Sequence, residues 1–76
     1  MEQEMRNYIK QYGSVQSDYA DWVHPWVEYW RVIGVKRSDW DFIIAHLTER
    51  YPDYTFSRGE THINNIIYPT IIITKK

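Results

Sequence analysis

The 76-residue sequence contains no cysteine, only three glycines and three prolines, and no long run of apolar residues. Without cysteine, the disulfide bonds that stabilise many small secreted domains are excluded. The longest aliphatic run, residues 71–73, is far shorter than the roughly 20 apolar residues that a membrane-spanning helix requires. Residues 1–10 contain no apolar stretch typical of a signal peptide. We therefore expect a cytoplasmic protein that does not act at a membrane.

Charge of one sign is also lacking, because nine Lys and Arg are balanced by ten Asp and Glu. A net charge of −1 gives no general attraction to nucleic acid or to an anionic membrane. What the chain does have is aromatic residues, including four tryptophans and seven tyrosines. A chain this short forms one domain, here residues 1–76, whose core contributes only about 3 to 5 kcal/mol. Each large aromatic side chain in that core therefore matters.

Apolar spacing predicts three helices, the first at residues 2–12 and the third at residues 38–51. Gly13 is suited to end the first, whereas Ser38 begins the third and Pro52 ends it. In the third helix the apolar residues follow the helical period closely. They are Trp40, Ile43, Ile44, Leu47 and Tyr51.

A second helix is predicted at residues 18–33, with a kink at Pro25 and an end at Gly34. We reject a strand here because Glu28 and Arg31 would lie on opposite faces of it. The apolar face of this helix would contain Tyr19, Trp22, Val23, Trp26, Trp30 and Ile33.

After Pro52 the pattern changes to alternating and β-branched residues, which predicts strands at residues 54–57 and 66–74. The reversal falls somewhere in residues 58–65, and residues 61–63 are suited to a short extra strand. Because Pro69 cannot donate to a ladder, the last strand should lie at a sheet edge or break there. The predicted fold class is α+β, with three helices followed by a C-terminal two-stranded antiparallel hairpin, an element order like that of a winged helix.

No constellation of residues indicates catalysis, a metal or a cofactor. The three histidines belong to different elements, and His46 with Glu49 supplies too few ligands for a zinc site. There is no cysteine and no serine spaced against a histidine and an acid. We predict that the protein is not an enzyme and holds no cofactor or metal.

Two apolar residues depart from the predicted helical stripes and indicate a contact with another protein. Phe42 falls on the side of the third helix opposite Trp40, and Val32 falls outside the stripe of the second. Together with Lys36 and Arg37 they would form an apolar and basic patch, a combination found at protein interfaces. Alternatively, the C-terminal strands bury the third helix on both sides.

The last strand is apolar on both faces, because Ile67, Ile71 and Ile73 alternate with Ile66, Tyr68 and Ile72. Three helices would cover only one face of a two-stranded sheet. Either the first helix wraps around the strand, or a second copy packs there. We favour a homo-oligomer, most simply a homodimer. Its self-association residues would be Ile66, Tyr68, Ile71, Ile72 and Ile73.

We expect a small interaction protein that binds another protein stoichiometrically, as an adaptor or inhibitor. The alternative is a winged helix-turn-helix protein that binds nucleic acid through residues 38–51. Its phosphate contacts would be Lys36, Arg37, Arg58, Lys75 and Lys76. Asp39, Asp41 and Glu49 argue against it, because a helix that enters DNA should not carry three acids.

Overall fold

The computed structural model describes residues 1–19 and 28–76, and it describes the side chains of residues 1–16 and 29–76. In these residues, two α-helices pack on one face of an antiparallel sheet with the strand order β1-β2-β4-β3. The elements are α1 (Gln3–Ile9), β1 (Ser14–Tyr19), β2 (Glu28–Ile33), a 3-10 helix (Arg37–Asp39), α2 (Trp40–Arg50), β3 (Tyr54–Ile63) and β4 (Ile66–Lys75).

The α+β class is confirmed, but the arrangement of three helices and a two-stranded hairpin is wrong. Where a second helix was expected, β1 and β2 pair with each other, and β2 also pairs with β4. Trp30 and Val32 are both buried although they are two residues apart, which is the period of a strand. Aromatic and β-branched residues dominate β2, so pairing on both sides favours the strand over the helix. The expected core residues Trp22 and Trp26 lie outside the described residues.

The first and third predicted helices are confirmed with shorter bounds. α1 buries Met5 and Ile9, and α2 buries Ile43 and Leu47. These four side chains form one core with the sheet residues Trp30, Val32, Ile71 and Ile73. At the start of α2 the Trp40 indole N–H donates a hydrogen bond to the buried Val35 carbonyl, at 3.1 Å. This bond fixes the loop between β2 and α2.

The β3–β4 hairpin reverses at Asn64 and Asn65, which have φ values of 50° and 66°. Ile63 pairs with Ile66, so the loop has two residues in the left-handed region, as in a type I′ turn. Asparagine tolerates this conformation better than most residues. The expected short extra strand is therefore the end of one continuous strand, β3.

The prediction that the last strand lies at a sheet edge or breaks at Pro69 is wrong for β4 as a whole, because β4 is an inner strand and is continuous across Pro69. β4 lies between β2 and β3, but its pairing with β2 stops at Thr70, which is opposite Ile33. The Pro69 carbonyl accepts hydrogen bonds from the backbone N–H groups of Gly34 and Val35. The side of Pro69 that lacks an N–H therefore faces the loop that follows β2, where no ladder bond is lost.

Beyond the end of β2 the hairpin continues as two paired strands, with no other described strand beside them. β3 and β4 stay paired from Glu60 opposite Pro69 to Ile63 opposite Ile66. This part of the hairpin projects past the four-stranded region of the sheet.

Candidate protein-interaction surface

The end of the projecting hairpin carries exposed isoleucines. Ile63, Ile66 and Ile67 are 40%, 53% and 53% exposed, and we call these three residues the hairpin tip. In the part of the chain that the structure describes, Phe42 is the one other large apolar residue exposed to this degree. Ile63 and Ile66 are cross-strand partners on one face, whereas Ile67 lies on the other face. The tip thus presents apolar surface on both sides.

Only part of the expected self-association surface is accessible. Ile71 and Ile73 are buried in the core beneath the helices, so they cannot contact a second copy. Tyr68 and Ile72 are half-buried. Ile66 is exposed, and the structure brings it together with Ile63 and Ile67, which were not among the candidates. The Asn64-Asn65 pair, as a two-residue turn flanked by isoleucines, was the sequence signal for them.

The expected partner-binding residues do not form one patch. Val32 is buried in the core, so it cannot contact a partner protein. Arg37 lies on the β3 side of α2, where it pairs with Glu60 at 3.1 Å. Phe42 is 49% exposed and packs edge-on against Tyr12, next to α1, with ring centroids 5.8 Å apart. Lys36 is exposed in the loop before the 3-10 helix.

Phe42 belongs to an aromatic cluster that joins α1 to α2. The Tyr8 ring stacks on His46 at 4.4 Å and lies 5.4 Å from the ring of Tyr12. Burial raises the pKa of the Tyr8 hydroxyl, and a hydrogen bond and charge interaction with Tyr12 raise it further. These contacts account for the half of Phe42 that is buried, and the remaining 49% is exposed. Among the described residues, no three His, Asp or Glu side chains converge as metal ligands.

Two of the basic residues expected to contact phosphate already form ion pairs with acidic residues. Arg58 forms an ion pair with Asp41 of α2, and Arg37 pairs with Glu60 while lying 5.5 Å from the Trp40 ring centroid. Lys75 and Lys76 are exposed at the end of β4, away from the hairpin tip. Because a phosphate would have to compete with these acids for both arginines, this arrangement does not favour a duplex. The winged-helix element order on which the alternative depended is also absent from the described residues.

No described helix is long and apolar enough to cross a membrane. The chain matches no protein-family model, no curated protein and no solved structure. Any proposal about function must therefore start from the surface of this chain alone.

Proposed function

We propose that this protein binds another protein stoichiometrically, as an adaptor or inhibitor, by inserting its hairpin tip into an apolar pocket of the partner. The observation that supports this is the exposure of Ile63, Ile66 and Ile67 at the end of a hairpin that projects past the rest of the sheet. A rigid hairpin presents its side chains at little cost in conformational entropy, which favours binding.

The size of the tip limits what it can contribute. Fully burying an isoleucine yields about 1.5 to 3 kcal/mol, and roughly half of each tip side chain is already buried. The three residues together then provide roughly 3 kcal/mol, less than the ~4 kcal/mol or more that association costs. The tip is therefore the anchor of a larger interface. Asn64 and Asn65, exposed between the isoleucines, supply amide groups for hydrogen bonds at the rim of the pocket.

The test begins with site-specific photo-crosslinking in the native host. A photoreactive residue replaces Ile66 in one variant and Thr48 in a second, because Thr48 is exposed on α2 near the end of the sheet away from the tip. We expect one protein to crosslink as a 1:1 adduct from position 66 and not from position 48. Crosslinks only to a second copy of this chain, or equal yields from both positions, would contradict the proposal.

The crosslinked partner is then purified, and its affinity for the chain is measured by calorimetry. Ile66→Asp and Ile67→Asp should each weaken binding at least tenfold, because a buried carboxylate would have no counter-charge. Thr48→Asp is the matched control and should leave the affinity unchanged. Circular dichroism verifies that all variants fold. An affinity that is the same for Ile66→Asp and Thr48→Asp would refute the tip as the anchor.

A further inference from the structure

β3 forms one edge of the sheet, and no described strand pairs with its outer side. The pairing of Ile63 with Ile66 across a two-residue turn determines which backbone groups of β3 bond to β4. Counting back from Ile63, alternate residues direct their N–H and C=O groups away from β4. They are Phe56, Arg58, Glu60 and His62, whereas the N–H of Tyr54 already donates to the Tyr51 carbonyl. The edge is ten residues long, which is enough to pair with another strand.

The side chains along this edge have a self-complementary charge pattern. Arg58 and Glu60 are two residues apart, so both lie on the face of the sheet that carries α2. Each is held there by an opposite charge, Arg58 by Asp41 and Glu60 by Arg37. Both ion pairs are exposed to solvent, with 57% of the Arg58 side chain and 49% of the Glu60 side chain accessible, so a second copy can contact a positive group beside a negative one.

We propose that a second copy of this chain pairs antiparallel with β3, with Gly59 of one copy opposite Gly59 of the other. A two-fold axis perpendicular to the sheet then sets Arg58 of each copy opposite Glu60 of the second copy. Sliding the second copy by two residues in one direction sets Arg58 opposite Arg58. Sliding it by two residues in the other direction sets Glu60 opposite Glu60. Like charges directly opposite destabilise a strand pair, so electrostatics selects the register centred on Gly59.

Glycine at the centre of this pairing permits a close approach. Gly59 would form a non-hydrogen-bonded pair, in which the two Cα atoms lie only about 4.5 Å apart. A Cβ atom on Gly59 would lie 2.7 Å from Cδ1 of Ile72, so the Ile72 side chain already lies over this glycine. The two half-buried Ile72 side chains would approach each other across the axis. They would add apolar contact on the face away from the helices.

This inference does not depend on the proposed function, because it rests on Arg58, Gly59 and Glu60 in the middle of β3 and on none of the tip residues. The dimer also differs from the one expected from sequence, which placed self-association on β4. In the structure β4 is enclosed by β2 and β3 along much of its length, whereas no described strand lies on the outer side of β3.

The test uses charge reversal in two separately purified variants, with oligomeric state measured by sedimentation velocity and native mass spectrometry. Arg58→Glu alone sets acids opposite acids across the axis, and Glu60→Arg alone sets bases opposite bases. Each variant should dissociate at concentrations at least tenfold above those for the parent dimer. An equimolar mixture should regain association as a heterodimer, because every cross-copy pair then joins opposite charges.

The mixture is its own control, since the contacts within each chain are the same before and after mixing. Lys10→Glu, an exposed reversal after α1, should leave the parent dimer unchanged. A second variant, His62→Pro, removes an outward N–H while leaving the ladder to β4 intact, and it should also give monomers. A parent that stays monomeric up to millimolar concentration would overturn the proposal. Single variants that associate like the parent, or a mixture that gains no heterodimer, would overturn it as well.

Discussion

Trp40 offers the sharpest test of how the core is held together, through the substitution Trp40→Phe. The benzyl ring keeps the site apolar but removes the indole N–H that donates to the Val35 carbonyl at 3.1 Å. Val35 is fully buried, so water cannot replace this donor without opening the loop. An unsatisfied buried acceptor costs about 1 to 3 kcal/mol, and the smaller ring leaves a gap that costs about 1 kcal/mol more. We expect a total loss of about 2 to 4 kcal/mol.

That loss is a large part of the stability available to so small a domain. The melting temperature should fall by about 8 °C or more, as measured by circular dichroism, with urea titration giving the free energy of unfolding. Arg37→Ala serves as the comparison, because it removes the cation beside the Trp40 ring and an exposed ion pair but no buried partner. It should cost under about 1 kcal/mol. A Trp40→Phe variant within about 0.5 kcal/mol of the parent would refute the role assigned to the hydrogen bond.

Three further perturbations test other parts of the fold. Gly34→Ala should cost about 1 to 2 kcal/mol by urea titration, because φ is +85° there and no neighbour lies within 4 Å of the added Cβ to add a clash. Thr70→Val should destabilise more than Thr61→Val in the same assay, because Thr70 both bonds the Thr61 hydroxyl and donates to the Tyr68 carbonyl. The raised pKa of Tyr8 means that stability is present below its ordinary pKa of 10.0 and is lost as pH rises through the folded value. Between about pH 9 and pH 11, the urea midpoint should therefore fall less for Tyr8→Phe than for the parent.

The parts of the fold that local sequence determines could be predicted. α2 has a strong apolar period and Pro52 after it, and the hairpin has β-branched strands around an Asn-Asn turn. The strand β2 could not be predicted in this way, because its apolar residues also fit a helical spacing when they are taken together with the apolar residues that precede them in the sequence. The spacing of Glu28 and Arg31 favours a single polar face and therefore a helix. A strand near the middle of a sheet, however, can carry a charge such as Arg31 on the face that the helices do not cover.

The candidate surface was harder to predict because exposure depends on where strands end relative to one another. Val32 lies outside the apolar stripe of the predicted helix, whereas in the strand that forms instead it is part of the core. Ile67 and Ile71 lie on the same face of the same strand, yet Ile71 has β2 beside it and Ile67 does not. That difference arises from the register of a distant strand, which local patterns do not contain.

The strand order has a consequence for folding kinetics. β3 and β4 are adjacent in the chain and can close within about 1 to 10 μs, the usual time for a hairpin. β2 must reach β4 across the whole of α2 and β3, so its loop-closure entropy is lost before any bond between them forms. We therefore expect the β3–β4 hairpin to form first, and β2 to dock on it together with its neighbour in the chain, β1. Changes at Asn64 and Asn65 should therefore slow folding, whereas changes in β1 should mainly accelerate unfolding.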